Sequence, residues 1–161
     1  MNLKKILLLA LIVLVPLFTQ AQDAKYPTSF GIQGGYSWIN GVVGADVQIG
    51  HFGASGGWMP TTMPLSGDKI SSIGLAGTLY SGNPDQQSVY VSLGMATNGF
   101  RYEDSMGGEF TESMTIAMLG FKGYANNWTF KIGGGYGWCA DGEAWTFEAV
   151  IGYSIFNNFN K

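Results

Sequence analysis

Residues 30–50 read FGIQGGYSWINGVVGADVQIG, and the period of this stretch decides the fold class. Apolar or aromatic side chains, with glycine and alanine among them, occupy every second position from Phe30 to Trp38 and again from Val43 to Ile49. Alternate side chains of a β-strand point to opposite faces of a sheet, so each run predicts a strand with two unlike faces. Asn40-Gly41 lies between the runs and favours a two-residue hairpin turn, because both residues tolerate positive φ.

The same alternation recurs along the rest of the chain and predicts eight antiparallel strands joined by hairpin-length connections. The third strand is expected to end near Met59, because Pro60 and Pro64 follow it and cannot donate to a ladder. Residues 113–124 are apolar on both phases, so that their facing stays open and a bulge there is possible. The longest connection is predicted over residues 98–112.

The charge of the polar phase indicates which face of the sheet meets the surroundings. Charged residues make up 12% of the chain, whereas an ordinary globular domain has about 25%. In the clear strands, the polar phase carries charge only at Asp46, Lys131 and Glu148, and the apolar phase carries none. Small neutral groups suit the narrow interior of an eight-stranded barrel, and large apolar groups suit contact with lipid. A soluble β-protein with a core of aromatic residues is the alternative.

Two sets of residues follow from this barrel prediction. Inside, Gln33, Asp46, Lys131 and Glu148 are expected to form a polar network that satisfies its own hydrogen bonds and closes the lumen. The hairpin centred on Asn40 would place Asp46 opposite Gln33, and a proton or ion path is the alternative to a closed lumen. Outside, tryptophans near the strand ends are expected to form the interface girdles: Trp38, Trp58, Trp128, Trp138 and Trp145.

The first 21 residues have the layout of a secretory signal peptide. Two lysines precede an apolar run from Ile6 to Phe18, and Thr19-Gln20-Ala21 offers small residues at a cleavage site. The apolar run is shorter than the roughly 20 residues that a transmembrane helix needs. We therefore expect residues 1–21 to be removed and residues 22–161 to form one barrel domain.

With its export signal, strand count, aromatic girdles and size, the whole mature chain resembles the small eight-stranded outer-membrane proteins, the family of the OmpA transmembrane domain and of OmpX. The resemblance implies an all-β, eight-stranded antiparallel up-and-down transmembrane β-barrel in the cell outer membrane. It also implies contacts with membrane lipid and lipopolysaccharide, and with the barrel-insertion machinery during biogenesis. Both termini would face the periplasm, and the connections near 39–41, 60–69, 98–112 and 139–144 would face outward.

The expected outer connection over residues 98–112 is acidic. It contains Arg101, Glu103, Asp104, Glu109 and Glu112. A solvated loop is the simpler interpretation, since local runs of charge are usually solvated. Divalent-cation bridging to lipopolysaccharide, or binding of a partner, is the functional alternative. Their spacing does not match an EF-hand Ca²⁺ loop, and we expect no metal site and no cofactor.

Catalytic and redox residues are sparse. His51 is the single histidine; it lies in a turn expected on the periplasmic side, and Ser55 is the nearest hydroxyl. Cys139 is the single cysteine, so no intramolecular disulfide can form. The net charge of −3 argues against a nucleic-acid partner, which favours a basic patch. These features predict a non-enzymatic protein, and we expect it to be a monomer.

The expected function is a structural or surface-interaction role that the outer connections perform above a side-chain-filled lumen. Three alternatives stay open at this point. They are a narrow pore for small solutes, a soluble periplasmic lipid-binding barrel, and a lipid-A-modifying enzyme that uses His51.

Overall fold

The computed structural model describes residues 27–39, 41–63 and 65–157, so the expected signal peptide lies outside the described residues. Within them, eight strands form one closed barrel in which each strand pairs antiparallel with its neighbours in chain order and the first pairs with the last. The bounds are β1 Thr28–Ser37, β2 Val43–Ile49, β3 Phe52–Thr62, β4 Lys69–Tyr80, β5 Ser88–Glu103, β6 Glu109–Ala125, β7 Trp128–Trp138 and β8 Glu143–Asn157. The up-and-down barrel predicted from the alternation is confirmed.

The connections divide between the two ends of the barrel. Those of β1–β2, β3–β4, β5–β6 and β7–β8 lie at what we call the four-connection end. Those of β2–β3, β4–β5 and β6–β7 lie at the three-connection end, together with the start of β1 and the end of β8. In the part of the chain that the structure describes, no helix is long and apolar enough to cross a membrane.

The outer and inner faces of the barrel wall differ in polarity, as the alternation predicts. Neighbours on one strand show it: Ile132 is 60% exposed on the outside, whereas Lys131 is 4% exposed in the lumen. The same holds for β4 and β5, where Leu75, Leu79 and Leu93 face outward. Apolar side chains therefore cover the outer surface of the barrel, and mostly small or polar ones fill its interior.

The facing of β6, which the sequence left open, follows a regular alternation. Met114, Ile116 and Met118 are buried in the lumen, while Leu119 and Phe121 are exposed outside. The register with β7 is continuous from Thr115 to Ala125, so this strand has no bulge there. The shift in register lies in β5 instead, between Ala96 and Phe100, where Asn98 has a φ of 50°.

The expected register of the first hairpin is wrong. Asp46 lies opposite Gly31, and Gln33 lies opposite Gly44. The turn is not centred on Asn40, which lies outside the described residues, because the chain folds back over a wider connection. The Gly35 amide donates to Val42 O at 3.1 Å, and the Gly41 amide donates to Ser37 O at 2.8 Å.

A buried isoleucine accounts for this wide turn. Ile39 is 1% exposed and inserts into the mouth of the barrel. The close fit is visible at Gly74, because a Cβ there would collide with the backbone of Ile39. Burial of an apolar side chain therefore overrides the turn preference of Asn-Gly.

The third strand also continues beyond its expected end near Met59. It runs to Thr62, with Pro60 opposite Ser71 of β4. The pairing with β2 ends at Trp58, so beyond that residue β3 has a strand neighbour on one side only. Proline is tolerated there because its missing N–H can face the unpaired side.

The long connection expected over residues 98–112 is mostly a two-stranded extension of the barrel wall. β5 continues to Glu103 and β6 begins at Glu109, so the connection itself is residues 104–108. Tyr102 stacks on its cross-strand partner Phe110 with ring centroids 5.8 Å apart, and such pairs stabilise hairpins.

Candidate functional site

The centre of the lumen holds a buried ion pair. Lys131 Nζ on β7 lies 3.3 Å from Asp46 Oδ2 on β2, and the side chains are 4% and 6% exposed. Lys131 also donates to Gln33 Oε1 on β1 at 3.4 Å. Of the four residues expected in a lumenal network, the structure thus brings three into direct contact. Strands β7 and β2 are not neighbours in the closed barrel, so the ion pair links separate parts of its wall through the lumen.

Glu148, the fourth expected residue, has a different principal partner. It is buried on β8 and accepts a hydrogen bond from the hydroxyl of Tyr90 on β5. Space for the Tyr90 ring is left by Gly120 and Gly133, since a Cβ on Gly133 would lie 2.6 Å from the Tyr90 hydroxyl oxygen. The sequence contains one indication that Tyr90 is special. It is a large aromatic residue at a position of the strand phase that otherwise carries small or polar side chains.

A second buried lysine, Lys122, escaped the sequence analysis. It is 1% exposed, and its Nζ donates to Gln48 Oε1 at 2.6 Å and to Pro84 O at 2.9 Å. Lys122 continues the phase of Met114, so the signal was present but hidden by the two-sided apolar pattern of β6. The buried charged residues of the described chain are therefore two lysines and two carboxylates, Lys122 and Lys131 with Asp46 and Glu148.

The lumen near the four-connection end is apolar. Its core is a cluster of buried side chains: Ile39, Ala76, Ala96, Met114, Ile116 and Met118. Trp38, Phe100 and Ala144 pack against this cluster. We call the six buried residues of this cluster the apolar seal, because they fill the end of the barrel where Ile39 inserts. The buried lysines and carboxylates lie between this seal and the three-connection end.

The β5–β6 extension contacts the other connections at its end of the barrel. Glu109 accepts hydrogen bonds from the amides of Leu65 and of Ser66, the latter at 2.7 Å. Partial desolvation raises the pKa of Glu109, but these hydrogen bonds outweigh it, so that the pKa lies below its ordinary value. On the other side, the Tyr102 hydroxyl donates to Asp141 Oδ2 at 3.0 Å.

The predicted acidic loop is therefore corrected. Only Asp104 lies in a connection, where its Oδ1 accepts from the amides of Met106 and Gly108 and shapes the turn. Glu112 is on β6 and accepts from the Asp141 amide at 3.3 Å. Arg101 and Glu103 are on β5, and cross-strand pairing has drawn these charged residues into the extended wall.

The tryptophans occupy both ends of the barrel. Trp58, Trp138 and Trp145 are exposed outward at the four-connection end, and Trp128 is exposed at the three-connection end. Trp38 departs from the prediction that it belongs to a girdle. It follows the last residue of β1, where the alternation has ended, and it packs against the apolar seal with the Arg101 guanidinium 5.2 Å from its ring.

The arrangement offers little for catalysis or metal binding. His51 is exposed in the β2–β3 connection with its Nδ1 3.1 Å from Tyr80 O. Ser55 is buried four residues along β3, about 13 Å away for an extended strand. Cys139 is a free thiol whose partial desolvation raises its pKa. Among the residues that the structure describes, no three histidine, cysteine or acidic side chains form a group that could hold a metal ion.

Comparison with known proteins gives a match of fold. No protein-family model and no curated protein matches the chain. The N-terminal β-barrel domain of Pseudomonas aeruginosa OprF superposes with a TM-score of 0.55 at 14% identity, covering 80% of this chain and 97% of that one. The Yersinia pestis outer membrane protein Ail gives a TM-score of 0.47 at 12% identity, covering 81% and 99%. The likeness to the OprF domain shows the fold, a closed eight-stranded antiparallel barrel like that outer-membrane barrel domain.

Proposed function

We propose that this protein is an integral barrel of the bacterial outer membrane, with a lumen that does not conduct, and that it serves envelope integrity or surface interaction through its four-connection end. One observation carries the proposal. The outer face of the barrel wall is apolar along its strands, while polar and charged side chains are enclosed within it. This is the arrangement that hydrocarbon surroundings require and that water would penalise.

Closure of the barrel supports the same location. Unpaired backbone groups at an open sheet edge are costly in hydrocarbon, and pairing of β1 with β8 removes the edge. The tryptophans exposed at both ends match the two interfacial girdles of such barrels. In the proposed orientation the chain ends at the three-connection end face the periplasm, and the four-connection end faces the medium.

The expected partners remain part of the proposal. Outer-leaflet lipid and lipopolysaccharide would surround the wall, the barrel-insertion machinery would act during biogenesis, and the barrel would be a monomer. The first 21 residues would be removed on export. Mass spectrometry of the protein purified from membranes tests this last point, since an intact N-terminus would contradict cleavage after Ala21.

The alternatives are less compatible with the described side chains. A pore needs an open path, whereas the apolar seal and the Lys131 ion pair fill the lumen. A soluble lipid carrier needs a polar outer surface, and the outer wall of this barrel is apolar. An enzyme that uses His51 needs a nucleophile within hydrogen-bond reach, and the turn offers none among its described contacts.

Three measurements test the proposal together. A folded barrel in detergent should change its gel mobility on boiling, and cell fractionation should recover it with the outer membrane. Planar-bilayer recording should give no steady unitary conductance. Recovery in a detergent-free periplasmic extract would refute the membrane location, and a reproducible conductance would refute the closed lumen.

A further inference from the structure

The three-connection end of the barrel is closed by a loop that folds into the lumen. The β4–β5 connection, residues 81–87, is the longest at this end, where the two others are short turns. Pro84 is fully buried and Gly82 is buried, whereas Asp85 and Gln87 are exposed. The loop therefore presents its tip to the barrel interior and its second half to solvent.

Two lumenal side chains hold this tip by its backbone. Lys122 Nζ donates to Pro84 O at 2.9 Å and to Gln48 Oε1 at 2.6 Å. Gln48 in turn donates from Nε2 to Gly82 O at 3.0 Å and to Gly50 O at 2.7 Å. One lysine and one glutamine, from β6 and β2, thus bind carbonyl oxygens of the loop and link to each other.

The chemistry of these contacts makes the closure reversible. A buried ammonium is costly unless its donors are satisfied, and here they bind the uncharged oxygens of an amide and a peptide group. Water offers equivalent acceptors, so withdrawal of the loop would exchange carbonyls for water and leave no buried charge bare. Ser88 Oγ, just after the loop, is buried without a hydrogen-bond partner and would also gain one from water.

The opposite end is closed by a different kind of interaction. The apolar seal consists of Ile39 and buried methionine, isoleucine and alanine side chains. Opening that end would expose apolar surface to water with no compensating hydrogen bond. Opening the four-connection end therefore costs more free energy than opening the three-connection end. The polar half of the lumen lies next to the three-connection end.

We propose that the β4–β5 connection is a lid over the polar half of the lumen, latched by Lys122 and Gln48. When the latch releases, the polar half becomes a hydrated vestibule open at the three-connection end, on the periplasmic side in the proposed orientation. The apolar seal stays closed, so an open lid gives access to the lumen without conduction. This goes beyond the proposed function, which requires only that the lumen does not conduct.

Thiol labelling beneath the lid tests the proposal. In a Cys139→Ser background, Ser88→Cys places the only thiol under the lid, and a charged maleimide reports its access to water. Lys122→Met should raise the labelling rate about tenfold or more, because loss of a hydrogen bond from a charged group favours opening by roughly that factor. The matched control is Lys69→Met, which removes an exposed lysine at the four-connection end, far from the lid, and should leave the rate unchanged. An unchanged rate in a folded Lys122→Met barrel would overturn the lid.

A second variant and a second measurement also test the lid. Gln48→Leu removes the second half of the latch and replaces Lys122→Met if that variant does not fold, as judged by its gel mobility on boiling. Hydrogen exchange over residues 82–87 should be faster in Lys122→Met than in the unsubstituted protein, with the Gly41 and Val42 amides of the sealed end unchanged, and equal exchange in the two proteins would contradict the lid. Conductance from Lys122→Met would show instead that the apolar seal, and with it the proposed closed lumen, had failed.

Discussion

Replacing Lys131 with methionine removes the cation at the centre of the lumen while keeping a side chain of similar length. Asp46 is then left buried without the ammonium that lies 3.3 Å from it. Gln33 loses the donor to its Oε1, although its own amide nitrogen has no hydrogen-bond partner and could turn towards the carboxylate. The perturbation therefore isolates the cost of an uncompensated charge inside the barrel.

The size of the effect follows from the geometry. At 3.3 Å the Coulomb attraction is about 5 kcal/mol for an effective dielectric constant of 20. Breaking a buried pair from one side costs about 3–5 kcal/mol, so Lys131→Met should lower the free energy of unfolding by that amount. Adding Asp46→Asn removes the bare charge, and the double variant should recover roughly 2 kcal/mol relative to the sum of the single effects.

Urea unfolding in lipid vesicles, followed by gel mobility and tryptophan fluorescence, gives the four free energies of this cycle. Lys69→Met removes an exposed lysine at the start of β4 and should change stability by less than about 0.5 kcal/mol. If the effects of Lys131→Met and Asp46→Asn were additive within about 0.5 kcal/mol, the ion pair would not stabilise the barrel and the argument would fail.

Other substitutions test the wall, the interior and the outer contacts. Ile132→Lys places a charge on the outward face and should cost about 2–4 kcal/mol in vesicle unfolding; a cost near zero would argue against lipid contact. Gly133→Ala should destabilise by about 1–3 kcal/mol because its Cβ would collide with Tyr90, whereas Gly134→Ala has open space and should be nearly neutral in the same assay. Since the pKa of Glu109 is lowered by the amides that donate to it, their protection from hydrogen exchange should persist at neutral pH and fall as acid titrates the carboxylate. Protection unchanged in Glu109→Ala, which removes both acceptor oxygens, would refute that contact.

Strand number, order and facing were predictable because they depend on local alternation. The outward position of Ile132 and the inward position of Lys131 follow from a period of two and the rarity of charge. These features need no knowledge of distant contacts. The expected lumenal residues Asp46 and Lys131 could be named for the same reason, although their actual pairing across the barrel could not.

What sequence reasoning missed depends on contacts between distant elements. The register of the first hairpin is set by insertion of Ile39 into the seal, and Trp38 packs there with it. Lys122 was hidden because β6 is apolar on both phases, and only the barrel shows that one phase forms the seal. The β5–β6 extension depends on aromatic stacking between Tyr102 and Phe110 across the hairpin, which composition alone presents as a loop.

Quenching of tryptophan fluorescence by brominated lipid tests most directly whether the apolar face meets acyl chains. Variants that keep a single tryptophan allow Trp128, 53% exposed on the outer wall, to be compared with Trp38, which packs against the seal beneath Arg101. Vesicles with bromine near the interface should quench Trp128 strongly and Trp38 weakly. Equal quenching, or protection of Trp128, would mean that the wall does not face lipid.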